Sequence, residues 1–299
     1  MVFLKRAKAL GLTFECGVCG AALTTFGSGG KVDYVFSPTC IAELKRTLDL
    51  LVAQNLPYRV IGGGSNLLLP DDGYRGALIT LRRMSDVKIC GETLTADAGA
   101  RLPTVARLAA ESSLSGMEFA CGIPGEVGGA VATNAGAFDQ RLSDVLAAVL
   151  LLTENGQTEV LTPKDLEMRY HSARLPKGCV VLSAVLSLKT GEKEQIQKAM
   201  RLMTERRAAT QPRERSAGSV FRRVGETPAA IYIEKTGLKG LRIGGAELSK
   251  VHCNFIVNKG GATTADFFAV AERVKKSVFD LCSVRLTYEV ERICSPKRT

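Results

Sequence analysis

The sequence has no tryptophan, only two histidines, and a 6% share of aromatic residues among its 299 positions. It also lacks the Lys-containing phosphate loop and the GxGxxG fingerprint, which excludes the two commonest nucleotide-binding motifs. The first residues contain no apolar stretch long enough for a signal peptide or a membrane span. We therefore expect a soluble cytoplasmic protein. The hydrophobic content of 45% is sufficient for the cores of two or three domains.

Nine cysteines are scattered through the chain, an odd number in a protein too large to need disulfide bonds. We therefore expect reduced thiols. Cys16 and Cys19 are the one close pair, and no second pair or histidine lies near enough to complete a zinc site, so we expect no metal.

The net charge of +10 is compatible with nucleic acid, acidic membranes or small polyanions as ligands. No nucleic-acid-binding signature is present. The densest basic segment, residues 201–223, flanks a Gly-Ser loop, which suits phosphate anchoring better than duplex binding. For Arg201, Arg206 and Arg207, a solvated helix face is an equally good interpretation.

Two glycine-dense loops are the main functional signal. They are Gly62-Gly63-Gly64-Ser65-Asn66 and the segment from Gly122 to Gly129, and each follows apolar residues. Glycine lets a ligand approach the main chain, so that successive N–H groups converge on anionic oxygens. Either loop alone is also compatible with a simple tight turn. Together they predict a cradle for a phosphorylated cofactor.

Hydrophobic periodicity predicts a mixed chain of helices and strands. The predicted helices cover residues 37–55, 104–110, 192–207, 228–235 and 264–282, the last with Thr264 as its cap. The predicted strands cover residues 58–61, 145–152, 180–188, 254–258 and 284–290, and a hairpin is expected over residues 87–98. Alternation in the last strand places Glu289 away from the apolar face.

Seven stretches of this chain resemble the UDP-N-acetylenolpyruvoylglucosamine reductase (MurB) family of flavoenzymes. They occur in family order along nearly the whole sequence, at residues 23–30, 60–68, 116–138, 216–221, 237–245, 253–258 and 286–290. The short spacing between Ser219 and Ile231 is similar to the second type of the family, which lacks the tyrosine-loop insertion.

The resemblance implies an α+β protein with a two-domain FAD-binding fold of the vanillyl-alcohol oxidase/MurB kind and a third α+β substrate-binding domain. The expected FAD-binding subdomains are residues 1–80, to which 284–299 return, and residues 81–208. The substrate-binding domain is expected at 209–283. Neither histidine lies in a glycine loop, so FAD is expected to bind without a covalent bond.

The resemblance also implies the reaction. NADPH reduces FAD and leaves, and UDP-N-acetylglucosamine enolpyruvate then accepts hydride and a proton to give UDP-N-acetylmuramate for peptidoglycan synthesis. The implied proton donor is Ser219, and Glu289 is the implied acid beside the substrate carboxylate. Without the family match, Ser219 is more simply a turn residue and Glu289 part of a solvated strand face. The implied partners are the sugar nucleotide and NADPH, with no nucleic acid or membrane, and the protein is expected to be a monomer.

The family motifs assign further residues to ligands. Cofactor binding is expected at Gly62, Gly63, Gly64, Ser65, Asn66, Leu67, Gly122, Ile123, Pro124, Gly125, Gly128, Gly129, Asn134 and Gly136. Substrate binding is expected at Arg222, Arg223, His252 and Asn254.

One departure from the family pattern concerns the substrate carboxylate. The family has Tyr-Arg followed closely by Ser, whereas this chain has Arg169-Tyr170-His171-Ser172-Ala173-Arg174. Either His171 occupies the arginine position, or Arg169 or Arg174 supplies the guanidinium. Arginine is permanently charged, whereas an unperturbed histidine titrates near about 6.5. We predict that an arginine is recruited.

A second departure is Glu126, which stands where the family commonly has a small residue in the glycine loop. It places negative charge near the expected diphosphate, and we expect its side chain to point to solvent. Two alternatives to the reductase remain open. One is an FAD-dependent sugar or lactone oxidase of the same fold, and the other is a non-catalytic sugar-nucleotide sensor.

Overall fold

The computed structural model describes residues 2–296. The α-helices of these residues are α1 (Val2–Ala9), α2 (Ile41–Ala53), α3 (Leu102–Glu111), α4 (Val127–Thr133), α5 (Lys193–Thr210), α6 (Ala229–Glu234) and α7 (Thr264–Cys282). The strands are β1 (Phe14–Cys19), β2 (Lys31–Phe36), β3 (Tyr58–Ile61), β4 (Leu67–Leu68), β5 (Tyr74–Thr80), β6 (Val87–Cys90), β7 (Thr93–Asp97), β8 (Leu114–Ser115), β9 (Gly136–Ala137), β10 (Gln140–Arg141), β11 (Leu146–Leu152), β12 (Thr158–Leu161), β13 (Val180–Ser187), β14 (Lys189–Thr190), β15 (Ser216–Ser219), β16 (Arg242–Ile243), β17 (Ala246–Leu248), β18 (Phe255–Asn258) and β19 (Glu291–Arg292).

The chain forms two compact units. Unit 1 consists of the described residues up to Phe14 together with Phe36–Gly63 and Leu78–Arg207. Unit 2 consists of Glu15–Val35, Gly64–Ala77 and the described residues from Ala208 onwards. The division into three domains with the boundaries given above stays a prediction.

Unit 1 contains a five-stranded antiparallel sheet in the order β12-β11-β13-β7-β6. The central strand β13 is buried from Val180 to Ala184, which explains its nearly continuous apolar sequence. The hairpin β6-β7 pairs Val87 with Ala96 and Cys90 with Thr93, so the predicted hairpin is confirmed.

The second glycine loop of unit 1 passes directly into α4. The amides of Val127 and Gly128 donate to the carbonyl oxygens of Ala100 (2.9 Å) and Ala98 (2.8 Å). A Cβ atom on Gly128 would lie 3.0 Å from the Cβ of Ala98. Glycine at this position therefore permits α4 to start close against the segment that follows β7.

Unit 2 is built around a four-stranded antiparallel sheet, in the order β15-β18-β17-β16, which α7 contacts. Strands β1, β2 and β5 are neighbours in that order, and β19 pairs with β4 in parallel. Helix α7 buries an apolar stripe whose spacing follows the helical period. The stripe consists of Phe267, Val270, Ala271, Val274 and Val278. Burying each large member contributes about 1.5–3 kcal/mol to folding.

The first turn of α7 is held by two acidic side chains. Thr263 and Asp266 form a capping box, in which each side chain accepts a hydrogen bond from the other residue's amide. The carboxylate of Asp71 accepts from the amides of Thr264 (2.7 Å) and Ala265 (2.8 Å). These bonds satisfy amides that a helix leaves without intrahelical partners. The predicted helix is confirmed, and its cap is Thr263 rather than Thr264.

Two predictions about regular structure are wrong. Residues 284–290 do not form a strand, and their one ladder contact is an isolated bridge between Tyr288 and Phe221. The alternation was nevertheless informative, because Leu286 and Val290 are buried. The segment from Gly122 to Gly129 is not entirely a loop, because it contains the first turn of α4.

All nine cysteines lie within the described residues, and none of them forms a disulfide bond there. Their reduced state stays a prediction. None of the described helices combines the length and the apolarity that crossing a membrane requires.

Gly64 offers a direct test of the fold. Its φ is +69°, and a Cβ atom there would overlap the carbonyl oxygen of Leu23. We expect Gly64→Ala to lower the free energy of unfolding by about 2 kcal/mol or more, because it adds a clash to an unfavourable left-handed conformation. Chemical denaturation measures the change. Gly91→Ala is the control, because Gly91 also has positive φ (+56°) but has no atom within 4 Å of the added Cβ. Equal losses in the two variants would contradict the assignment to the clash.

Candidate active site

The predicted catalytic residues Ser219 and Glu289 lie on adjacent backbone segments of unit 2. The amide of Glu289 donates to the carbonyl oxygen of Val220 (2.8 Å), and the amide of Arg222 donates to that of Thr287 (3.0 Å). Phe221 and Tyr288 form the antiparallel bridge between these bonds. The structure thus brings together two residues that are far apart in the sequence.

Aromatic packing fixes the two segments to each other and to α7. The rings of Phe221 and Tyr288 stack with centroids 5.4 Å apart, and Phe268 of α7 packs edge-on against Tyr288 at the same distance. The Tyr288 hydroxyl donates to Glu272 Oε1 (2.6 Å). Residue 289 is therefore held in place by its neighbour in the chain.

The carboxyl group of Glu289 has an unusual protonation equilibrium. Burial raises the pKa of Glu289 to about 7, and the positive charge of Arg222 opposes this rise. Arg222 is exposed, and its Nε donates to the carbonyl oxygen of Tyr288 (3.2 Å). A substantial fraction of Glu289 is therefore a neutral acid near pH 7, able to donate a hydrogen bond.

The Ser219 segment begins with a glycine in the left-handed region, Gly218 at φ +76°. Ser219 is partly buried, and within residues 2–296 its hydroxyl has no hydrogen-bond partner. The preceding Ser216 is held through its carbonyl oxygen, which accepts from Thr25 Oγ1 (2.7 Å). The Ser219 hydroxyl is thus available to a ligand, at the end of strand β15, whose first residue is anchored.

The side chain of Asn254 holds the segment that follows Ser219. Its Oδ1 accepts from the amide of Phe221 (3.0 Å), and its Nδ2 donates to the carbonyl oxygen of the same residue (2.9 Å). His252 is partly buried; burial lowers its pKa, and its Nδ1 accepts from the amide of Asn254 (3.2 Å). Direct substrate contacts by Asn254, His252 and Arg223 stay predictions.

The first glycine loop extends into unit 2 through Gly64, Ser65, Asn66 and Leu67. Asn66 Nδ2 donates to the carbonyl oxygen of Glu289 (3.2 Å), and the amide of Glu291 donates to the carbonyl oxygen of Asn66 (2.9 Å). The segment after Asn66 continues as β4 alongside β19. The predicted cofactor loop and the predicted acid are therefore directly hydrogen-bonded.

The parts of both glycine loops that belong to unit 1 face each other. A Cβ atom on Gly63 would lie 3.6 Å from the Cα of Gly125, and one on Gly62 would lie 3.8 Å from the Cα of Gly129. A Cβ atom on Gly129 would meet nothing within 4 Å. Larger side chains at these positions would fill the space between the loops, so the residues fit a cofactor that binds through its diphosphate.

The expectation that Glu126 points to solvent is wrong. Only 5% of Glu126 is exposed, and its Oε1 accepts a hydrogen bond from Arg82 Nε at 3.0 Å. Burial raises the pKa of Glu126, and Arg82 opposes this rise. The sequence gives no sign of this partner, because Arg82 and Glu126 are 44 positions apart, farther than any local spacing rule covers.

The alternative residues for the carboxylate-binding position lie on a loop of unit 1. Asn134, a predicted cofactor residue, donates through Nδ2 to the carbonyl oxygen of Arg169 (2.9 Å). The side chains of Arg169 and Arg174 are 80% and 77% exposed, and both pair with Glu167, at 3.8 Å and 2.7 Å. His171 has φ +49° and packs edge-on against Tyr170.

Arg207, within the basic segment of residues 201–223, lies beside the second glycine loop. Arg201 and Arg206 are exposed, as a solvated helix face requires, but Arg207 is partly buried. A Cβ atom on Gly122 would lie 2.5 Å from Arg207 Cδ. Burial lowers the pKa of Arg207, so its guanidinium occupies a site where an anion would be favourable. Helical spacing alone does not distinguish it from Arg206.

Comparison with known proteins covers both glycine loops and the Ser219 region. A profile of the UDP-N-acetylenolpyruvoylglucosamine reductase C-terminal domain matches residues 211–293, and an FAD binding domain profile matches residues 32–162. The UDP-N-acetylenolpyruvoylglucosamine reductase of Clostridium botulinum is 39% identical over 272 residues, 90% of this chain and 89% of the relative. The enzyme of the same name from Clostridium perfringens is 40% identical over 270 residues, with the same coverage.

A solved structure supports the same relationship. The crystal structure of UDP-N-acetylenolpyruvylglucosamine reductase (MurB) from Thermus caldophilus superimposes with a TM-score of 0.82 and 35% sequence identity. The match covers 95% of this chain and 99% of that chain. The similarity therefore extends over both the FAD-binding and the C-terminal regions.

Proposed function

Because the chain belongs to the UDP-N-acetylenolpyruvoylglucosamine reductase family, FAD-dependent oxidoreductases of peptidoglycan synthesis, we propose that it reduces UDP-N-acetylglucosamine enolpyruvate to UDP-N-acetylmuramate with NADPH. The observation that carries this proposal is the pairing of the Ser219 and Glu289 segments, joined by the hydrogen bond between Val220 and Glu289. A hydroxyl group and a neutral carboxylic acid on adjacent segments match the needs of an enol ether reduction.

Glu289 supports the first part of this chemistry. FAD held by the two glycine loops would, once NADPH has reduced it, supply the hydride chemistry at the methylene carbon of the enolpyruvyl group. Negative charge then grows on the neighbouring carbon and the substrate carboxylate. Protonated Glu289 donates a hydrogen bond to that carboxylate, and the positive charge of Arg222 acts in the same direction. The raised pKa of Glu289 keeps this donor available near neutral pH.

Ser219 completes the reaction. Its hydroxyl donates a proton to the carbon that carries the carboxylate, forming the C–H bond of the lactyl ether while the O–H bond breaks. The serine oxygen then takes a proton from solvent. A hydroxyl is a weak acid, so the step depends on the position of the group. The absence of competing hydrogen bonds to this hydroxyl among the described residues supports the role.

The two glycine loops bind the cofactor without a covalent bond in this proposal. Gly62 to Leu67 and Gly122 to Gly129 supply main-chain donors to its diphosphate, with Asn134 and Gly136 in the next segment. Arg207, packed against Gly122, is a further cation for the same anion. The proposal also places the protein in the cytoplasm as a monomer, independent of nucleic acid and membranes.

The cation beside the substrate carboxylate is proposed to be Arg169 or Arg174 rather than His171. Both guanidinium groups are exposed and pair with one acidic residue, Glu167, so neither is committed to a buried structural role. We expect Arg169→Ala or Arg174→Ala to lower kcat by at least about tenfold, within the range of electrostatic catalytic groups. Steady-state kinetics measure this, with Arg107→Ala as a control in an exposed pair. If neither variant loses activity, the recruitment of an arginine is wrong.

One experiment tests the reaction as a whole. The purified protein is expected to show a flavin spectrum, which anaerobic NADPH should bleach and UDP-N-acetylglucosamine enolpyruvate should restore. Restoration by oxygen together with oxidation of a sugar or lactone would instead support the oxidase. A yellow protein that NADPH never bleaches would support the non-catalytic sensor.

A further inference from the structure

The carboxyl group of Glu126 occupies an unexpected place between the two glycine loops of unit 1. Cβ atoms built on Gly62 and Gly63 would lie 3.8 Å and 3.5 Å from its Oε2 and Oε1. Glu126 also immediately precedes α4, which contains Gly128 and Gly129. A buried acidic group therefore lines the cradle proposed for an anionic diphosphate.

Such a group is unfavourable unless it is compensated. Burying an ionised carboxylate without a partner is strongly unfavourable, and a nearby diphosphate adds like-charge repulsion. Arg82 provides the compensation, because its Nε lies 3.0 Å from Glu126 Oε1. The positive charge of Arg101 acts in the same direction. Neutralisation by Arg82 explains how the loop accommodates an acid here.

Arg82 also contacts the first glycine loop. Its terminal nitrogen donates to the carbonyl oxygen of Gly63 at 3.3 Å. The same guanidinium is thus hydrogen-bonded to Gly63 of one loop and to Glu126 of the other. The Arg82 side chain is 47% exposed, so it reaches the two loops from the surface of unit 1.

We propose that Arg82 is a positioning residue for the cofactor site, which joins the two glycine loops and cancels the charge that Glu126 would otherwise present to the diphosphate. The proposal rests on FAD binding and is independent of the substrate and of the roles of Ser219 and Glu289. Its test can therefore fail while the proposed reaction holds, and the reverse is also true.

The test is FAD binding by the apoprotein, followed through quenching of flavin fluorescence. Arg82→Met leaves the Glu126 carboxylate without its partner, and we expect the Kd for FAD to rise at least about tenfold. This increase in Kd is smaller than the one expected when a fully buried ion pair is broken, because Arg82 is half-exposed. Arg83→Met is the matched control, because Arg83 is the exposed neighbour of Arg82 in the sequence. The Kd of this variant for FAD should stay within about twofold of the wild-type value.

A double variant separates the charge from the loss of the side chain. In Arg82→Met/Glu126→Gln the carboxylate is absent, and we expect most of the lost affinity to return. Thermal unfolding of each apoprotein identifies variants that fail to fold, and Arg82→Lys then replaces Arg82→Met as the test. Wild-type affinity in the Arg82 variant, or a double variant as weak as Arg82→Met, would overturn the proposal.

Discussion

Replacement of Ser219 by alanine is expected to lower kcat for substrate reduction by about 10³-fold, within the range found for general acids. The variant should keep the conformation of residues 219–222, because backbone hydrogen bonds of Val220 and Arg222 and the side chain of Asn254 hold this segment. Reduction of FAD by NADPH does not require this hydroxyl and should proceed at the wild-type rate. The loss should therefore be confined to the half-reaction with the sugar nucleotide.

Stopped-flow spectroscopy measures the two half-reactions separately. Ser216→Ala is the matched control, because Ser216 lies on the same strand and its carbonyl oxygen, rather than its hydroxyl, is used by Thr25. Ser219→Cys retains an acidic hydrogen and should recover part of the rate. Equal turnover in Ser219→Ala and wild type would remove Ser219 from the mechanism.

The second large effect concerns Glu289 and pH. A folded pKa of about 7 means that the carboxyl group is protonated below pH 7 and loses its proton above it. Since the proposed role requires the protonated form, kcat/KM should be highest on the acid side and fall as pH rises through about 7. Profiles of kcat/KM report the free enzyme, so this value applies directly.

Substitutions at Glu289 distinguish the acid from a packing role. Glu289→Ala should lower kcat by about 10²-fold, as expected for loss of an electrostatic donor. Glu289→Gln keeps a hydrogen-bond donor that does not titrate, so it should retain part of the rate and lose the decline above pH 7. The control is Glu226→Gln, because Glu226 is exposed and lies four residues after Arg222 in the sequence. This variant should leave the pH profile of kcat/KM unchanged. An unchanged decline in Glu289→Gln would assign the titration to another group.

Regular elements with a strong local signal were predictable from the sequence. Helix α7 begins and ends as predicted, because its apolar stripe is long and consistent with one period. The hairpin β6-β7 was also predictable from alternation and a central glycine. The predicted α+β class and FAD-binding fold are confirmed by the comparisons.

Features that depend on distant partners were not predictable in this way. A carboxylate is normally solvated, which predicts Glu126 at the surface, and only its contact with Arg82 explains its burial. Residues 284–290 alternate like a strand, but only Tyr288 finds a bridge partner, so no ladder forms. Local sequence patterns predict which side of a segment is apolar, but they do not predict which distant residues that segment contacts.

The candidate site required the family resemblance. Neither Ser219 nor Glu289 stands out by residue type or spacing, and no rule of secondary structure predicts that their segments pair. The glycine loops were the exception, because dense glycine has few structural uses besides turns and close approach of a ligand. The raised pKa of Glu289 results from burial by the folded chain, which sequence alone does not give.

The double attachment of Asn66 has a dynamic consequence. Its side chain and its carbonyl oxygen are bonded to Glu289 and to the amide of Glu291, so the end of the glycine loop and this acidic segment cannot separate without breaking both bonds. Local opening occurs in cooperative groups of neighbouring residues. Residues 66 and 289–291 thus belong to one such group, and transient opening of either stretch exposes the other to solvent.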